Sequence, residues 1–413
     1  MSARDLEGQT IGDYRLEAFL GEGAFGAVFR STQLALDRPL RRVAVKLSHR
    51  TDLRADEAVE LLGDAFMLAD AMDQITDTAA KLHLVHVFDA GLTAEDGRAF
   101  LAMEYVEGIS LADRIAGQGR LDAEQLTTWA VQIASALGAL HRLARPLMHR
   151  DLKPDNVMLG LDNRVRLIDF GLAVRHGESR RSDGVAGTVG YMAPEASSGK
   201  STPASDVYSL GVLMYEGLTG QHPFRALVPP VGLSDDEQDD WLLQAKRRHS
   251  VVPPSALSNT VTPKLDRIVL RCLKYEPHER FRDAAELHAA LTRKSSPAPK
   301  KESTQADGDK STRRLREARE EVERELATTQ TRVDRFDLLR TSAELHSKLG
   351  EHAEAASRLR EAWEMTKDTG LVPDTHGRVR LLTELADAYR RAGNEFQAKR
   401  FEADRSRERG GGR

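Results

Sequence analysis

The hydrophobic pattern changes character along the chain. Between residues 14 and 48 lie short runs rich in β-branched and aromatic residues, YRLEAFL, AVFRSTQLAL and RRVAVKLS, with turn-forming clusters between them. Such runs predict antiparallel strands. From Leu121 the spacing is different: LDAEQLTTWAVQIASALGALHRL repeats its apolar residues every three or four positions, the period of an amphipathic helix. Strands first and helices second predict an α+β domain with a small sheet lobe and a larger helical lobe. Residues 292–312, TRKSSPAPKKESTQADGDKST, contain almost nothing apolar and read as a disordered linker. Helical spacing returns over residues 313–408.

Composition narrows this picture. The 413 residues suffice for two or three domains, and 40% hydrophobic content excludes general disorder. Residues 1–291 carry 33 Lys/Arg against 41 Asp/Glu, and the remainder 27 against 23. That imbalance is too mild to predict a nucleic-acid partner. Cys272 is the single cysteine; it excludes an intramolecular disulfide or a cysteine-rich metal site and reads as a core thiol. The N-terminus, MSARDLEGQT, has no signal-peptide stretch, and no window approaches 18 uninterrupted apolar residues. No membrane span is expected, and a cytoplasmic location follows as an expectation.

Candidate chemistry sits at four places. Gly21-Glu22-Gly23-Ala24-Phe25-Gly26-Ala27-Val28 fits G-x-G-x-x-G-x-V. Glycines let a turn approach phosphates closely, although many glycine turns bind nothing. A strand-like run follows rather than a helix, so a hairpin is favoured over a dinucleotide-binding turn. Lys46 ends the apolar run Val43-Ala44-Val45. A buried ammonium there needs an anion, which phosphate would supply; a lysine snorkelling to solvent is the plainer alternative. Next comes His149-Arg150-Asp151-Leu152-Lys153-Pro154-Asp155-Asn156, with Asp169-Phe170-Gly171 eighteen residues beyond Asp151. Last comes Gly187-Thr188-Val189-Gly190-Tyr191-Met192-Ala193-Pro194-Glu195.

In motif order and spacing, residues 14–291 resemble the protein-kinase catalytic domain, and HRDLKPDN resembles its serine/threonine branch. LVHVFDAG, FLAMEYVEG and ASDVYSLGVLMYEGLTGQHPF look like the bacterial, Hanks-type members. The resemblance implies a bilobal kinase fold, with ATP and Mg²⁺ as cofactors and protein hydroxyls as substrate. By resemblance Asp151 is the catalytic base, Lys153 steadies the transferred phosphate, and Lys46 holds the α- and β-phosphates. Asn156 and Asp169 are the implied metal ligands, their oxygens suiting a hard cation. Gly21, Gly23 and Gly26 would cap the phosphates, with Phe25 at the loop tip. Val28 and Ala44 would roof the adenine, Met103 would be the gatekeeper, and Glu104, Tyr105 and Val106 the hinge. Asp206 would anchor the catalytic loop, and Glu195 would pair with Arg280.

The pattern departs from the family at one place. The third-helix glutamate that pairs with the lysine is expected near Met72, where none stands. Glu60, Asp70 and Asp73 are the nearby acids, and none is assigned. Arg150 implies an activation segment ordered by phosphorylation, with Ser179 and Ser182 as acceptors and Thr188 as the substrate-positioning threonine; a plain basic loop is the alternative.

Beyond the linker, Ala343 to Gly350 leads into Glu351-His352-Ala353-Glu354-Ala355, and Ala386 to Gly393 leads into Asn394-Glu395-Phe396-Gln397-Ala398. These segments resemble tetratricopeptide repeats, with DTGLVPDTHGRV as an insertion. Such a module implies a protein partner or substrate. RRLREAREEVERELATTQTRVDRFDLL would be a capping or coiled-coil helix. Two readings compete with an active kinase: a pseudokinase scaffold that only binds proteins, and a small-molecule kinase. GTVGYMAPE speaks against the second.

Overall fold

The computed structural model describes residues 3–23, 25–170, 188–225, 227, 229–230, 233–247, 249, 251–293, 306–328, 332–369 and 375–410. The chain divides into two compact units. The first comprises Met1–Ser182, Tyr191–Gly220 and Arg271–Arg293; the second comprises Asp183–Gly190, Gln221–Leu270 and Lys294–Arg413.

The first unit opens with the expected antiparallel sheet. Its strands are β1 (Thr10–Ile11), β2 (Tyr14–Glu22), β3 (Gly26–Ala35), β4 (Arg38–Ser48), β5 (Val87–Leu92) and β6 (Ala99–Glu104), in the order β1-β2-β3-β4-β6-β5. Side chains alternate between faces of a strand, and the register uses this. Phe29, Val43, Val45, Leu47 and Ala102 face one way and join Tyr14 and Leu16 in a buried cluster. Val28 pairs with Lys46, Ala44 with Met103, and Lys46 with Leu101. These residues therefore share the opposite face.

The helical lobe follows. Helix Ala123–His141 starts at Asp122, whose side chain accepts from the Glu124 and Gln125 amides at 3.0 Å, a sound N-cap. Helix Pro203–Thr219 is buried along nearly its whole length. A Cβ at Gly211 would lie 2.4 Å from the Cβ of Cys272, so the cysteine is packed against a neighbouring helix. Burial also pushes its thiol far up in pKa, as a core thiol requires. A three-stranded sheet of β7 (Gly108–Ser110), β8 (Val157–Gly160) and β9 (Val165–Leu167) carries the central loops.

The second unit contains helices Asp235–Ala245 and Pro254–Leu257 and the C-terminal helices Ala306–Thr328, Arg332–Lys348, His352–Thr369, Thr375–Arg391 and Glu395–Gly410. Gly350 and Gly393, at φ +78° and +76°, turn the chain between paired helices. Left-handed backbone of this kind favours glycine at a helix C-terminus. Leu339, Trp363, Leu382, Leu385, Tyr389 and Phe401 belong to the core of these helices. One expectation shifts. Helix Ala306–Thr328 begins inside the segment read as linker. Residues 294–305, and residues 370–374 of the expected insertion, lie outside the described residues.

Candidate active site

Lys46 is buried at 7% exposure on the free face of β4. Its Nζ donates to Asp169 Oδ1 at 2.7 Å and lies 5.1 Å from the Phe25 ring centroid. A carboxylate and an aromatic face together compensate the buried cation. Burial raises the Asp169 pKa, but the charge and hydrogen bond of Lys46 outweigh it and hold the carboxyl below its usual range. Asp169 itself adopts φ +54°, an uncommon conformation for a non-glycine residue.

The segment 149–156 folds into a tight loop. Asn156 Nδ2 donates to Asp151 O at 2.7 Å and to Asp151 Oδ2 at 3.0 Å. Lys153 Nζ stands 3.5 Å from the same Oδ2. The Asn156 carbonyl accepts from the Ile168 amide at 3.0 Å, which sets Asp169 one residue further along. Asn156 thus ties three of the sequence-derived residues together.

Asp206 supports this loop from below. Its carboxylate accepts from the backbone amides of His149 at 2.8 Å and Arg150 at 3.1 Å, and contacts His141 Nε2 at 2.9 Å. Burial opposes its ionisation, yet the hydrogen bonds and charges of His141 and His149 keep its pKa low. Arg150 takes φ +64°. Its guanidinium makes no hydrogen bond or ion pair among the described residues. His149 packs against Phe170 with centroids 4.4 Å apart and the ring planes tilted by 36°, and burial holds its ring pKa down.

The glycine-rich turn is a β2–β3 hairpin, with Gly21 opposite Val28 and Glu22 opposite Ala27. Its glycines differ. A Cβ at Gly26 would fall 1.7 Å from the Leu47 carbonyl oxygen, whereas nothing lies within 4 Å of one at Gly21 or Gly23. Gly26 is therefore demanded by β4, while Gly21 and Gly23 keep open space beside the backbone. Phe25, expected at the loop tip, turns inward and is 9% exposed. Ala44 and Met103 are buried. Glu104 directs its side chain to Arg166, at 3.2 Å, and to His86. Val106 makes no backbone hydrogen bond among the described residues, which leaves a donor and an acceptor for a ligand.

Glu195 and Arg280 form the expected buried pair, at 2.7 and 2.9 Å in bidentate geometry. Arg280 also donates to the carbonyls of Lys274 at 2.7 Å and Ala204 at 3.1 Å. Gly171, Ser179, Ser182 and Gly187 lie outside the described residues, as does the Thr188 side chain.

No suggested third-helix acid is buried. Glu60 falls on the preceding helix Ala55–Leu61, and Asp70 and Asp73 are exposed on helix Gly63–Gln74. The buried acid is Asp64, at 7% exposure, on the face that carries Leu68, Ala71 and Met72. Its spacing of four, seven and eight residues from these apolar positions is the signal that would have found it.

The protein kinase domain family matches residues 14–291. Among curated proteins, the chain is 33% identical over 289 residues to the serine/threonine-protein kinase PknB of Mycolicibacterium smegmatis, covering 68% of this chain and 42% of that protein. It is 30% identical over 278 residues to a probable serine/threonine-protein kinase, CA_C1728, of Clostridium acetobutylicum, covering 66% and 38%. The chain thus spans about two fifths of the length of these relatives. The crystallised PknI kinase domain of Mycobacterium tuberculosis aligns with a TM-score of 0.48 at 23% identity, over 69% of this chain and 96% of that one. Matched over more than half its length, the chain belongs to the protein kinase domain family.

Proposed function

We propose that the chain is an active serine/threonine protein kinase that transfers the γ-phosphate of ATP to protein hydroxyls. The observation that carries this reading is Asn156, which holds Asp151 through its amide and the Asp169 segment through its carbonyl. Asp151 then accepts the proton of the acceptor hydroxyl, and Lys153 beside it balances charge on the moving phosphoryl group. Lys46 holds phosphate oxygens from the sheet face. Gly21, Gly23 and Gly26 bring backbone over the phosphates, with Phe25 closing against water. Val28, Ala44 and Met103 enclose the adenine, and Glu104 and Val106 offer it backbone groups.

Asp169 and Asn156 suit Mg²⁺ because they offer hard oxygen donors, and the Asn156 amide nitrogen is already turned to Asp151. Bound Mg²⁺ would neutralise phosphate charge. Two protein ligands completed by phosphates and water are the usual arrangement for this ion.

The proposed division is an extension over 1–13, the catalytic domain over 14–291, a linker over 292–312 and a tetratricopeptide-like module over 313–408. The module recruits a protein partner or substrate in bacterial intracellular signalling, where ATP is at hand. Arg150 awaits a phosphorylated activation segment, with Ser179 and Ser182 as acceptors.

One observation favours a non-catalytic scaffold instead: helix Gly63–Gln74 contains no glutamate. Transfer of radiolabel from ATP to myelin basic protein in the presence of Mg²⁺ separates the two. Labelling by the parent, lost in Asp151→Ala and Asp169→Ala, establishes the kinase. No labelling by the parent, even after pre-incubation with ATP at high concentration, establishes the scaffold. Truncation at residue 300 tests the module: normal phosphorylation of every native target would refute recruitment.

A further inference from the structure

The segment that ends in Val189 and Gly190 has an anchor that no motif announces. Lys246 follows directly on helix Asp235–Ala245 and is 4% exposed. Its Nζ donates to Val189 O at 2.8 Å and to Gly190 O at 2.9 Å. An ammonium has three donors and no acceptor, and charge-assisted bonds are roughly twice as strong as neutral ones. The tethered element, Thr188–Tyr191, is a single helical turn of 4 residues. Such a turn has little stability of its own, because nucleation costs more than one turn returns. Its position therefore depends on what holds it.

The wall behind Lys246 is tied to the C-terminal helices. The Phe224 ring centroid lies 5.2 Å from Nζ, and His249 packs on that ring at 5.7 Å. Arg225, the next residue, forms an ion pair with Glu344 on helix Arg332–Lys348. Beside this pair, Val252 and Ala256 pack against a buried cluster of Leu315, Val322 and Leu345. An apolar contact and an ion pair thus join the same wall to two C-terminal helices.

We propose that Lys246 is a positioning residue for the protein acceptor: it holds the Val189 and Gly190 carbonyls, and the C-terminal helices brace its wall through Arg225 and Glu344. The inference rests on the kinase reading, in which this segment receives the acceptor hydroxyl. It gives the C-terminal helices a second role, as a fixed support of the acceptor site.

The test is steady-state kinetics of the full chain with ATP and myelin basic protein. Lys246→Met is expected to raise KM for myelin basic protein about tenfold, the scale of a lost charged hydrogen bond, with KM for ATP within about twofold. Glu344→Gln is expected to shift KM in the same direction by about threefold, since its pair is partly exposed. If Lys246→Met does not melt cooperatively, Glu344→Gln carries the test alone. A parental KM for the acceptor in both variants, or parallel changes in both KM values, overturns the inference. A parent that transfers no phosphate overturns the kinase reading and this inference with it.

Discussion

Lys46 Nζ and Asp169 Oδ1 stand 2.7 Å apart, across 123 residues of sequence. The two side chains are unequally buried, at 9% and 28% exposure. Breaking a buried pair typically costs about 3–5 kcal/mol, and the exposure of Asp169 lowers this to roughly 1–3 kcal/mol for Lys46→Met, which strands the better-hydrated partner. Asp169→Ala strands the more deeply buried ammonium and should cost more. Urea denaturation of both variants checks the order, and the double variant should recover part of the loss. Equal stabilities in all four proteins would dismiss the pair as incidental. Both single variants are expected to abolish phosphoryl transfer.

The glycine-rich hairpin offers a sharper separation of stability from binding. Gly26→Ala forces a methyl group to within 1.7 Å of the Leu47 carbonyl, so β3 and β4 must part. A loss of about 1–3 kcal/mol follows. Gly21→Ala and Gly23→Ala meet no protein atom and should melt near the parent. Their effect is expected on nucleotide affinity, where a methyl group would stand between backbone and phosphate. Thermal melts with and without ATP distinguish the two classes. A Gly26→Ala protein that melts with the parent contradicts the steric assignment.

These cases show why some of the molecule was legible in its sequence. Asp151, Lys153 and Asn156 fall within one short string, and the loop closes on itself through local hydrogen bonds. The alternation of Ala44, Val45 and Lys46 assigns each to a face of the sheet by period alone. Asp64 was not legible in the same way, because a glutamate was sought near Met72 and this buried acid is an aspartate eight residues upstream, in the first turn of the same helix. Lys246 lies 56 residues from Gly190, and Arg225 lies 119 residues from Glu344. No local pattern encodes such contacts; they arise when the helices pack. The start of helix Ala306–Thr328 was missed because its first residues are too polar to carry a periodic apolar signal.

Acid should weaken the fold through two buried histidines. Burial, aided by the charge of Lys246, pushes His222 down to about 3; burial alone takes His249 to about 4. In the unfolded chain both titrate near 6.5. Above that pH neither state binds the proton and stability is at its plateau. Below it the unfolded chain binds protons that the fold excludes, so stability falls by ~1.4 kcal/mol per pH unit for each ring. The decline from His249 ends near pH 4, and that from His222 near pH 3. Urea midpoints between pH 7 and pH 5 measure the slope. His249→Gln should flatten it by about one proton, and an unchanged slope would mean that His249 does not resist protonation.

Asp64 provides the most direct test of how this chain meets the demand for a helix acid. It lies on the buried face of helix Gly63–Gln74, in line with Leu68, Ala71 and Met72, while Asp70 and Asp73 face solvent. Kinases need an acid on this helix to orient the strand lysine toward phosphate. An aspartate is one methylene shorter than glutamate, so the helix must sit closer to the sheet when the lysine is engaged. Asp64→Asn keeps shape and removes charge. With Asp64 in the role of the acid that orients Lys46, it is expected to lower phosphoryl transfer at least about tenfold, the scale of a charged hydrogen bond worth roughly 1.5–3 kcal/mol. Asp70→Asn and Asp73→Asn should stay within about twofold of the parent, as exposed substitutions do. Asp64→Glu is the informative fourth variant: retained activity would mean that the helix can retreat to admit a longer acid. Full activity in Asp64→Asn would falsify the assignment and leave Lys46 oriented by Asp169 alone.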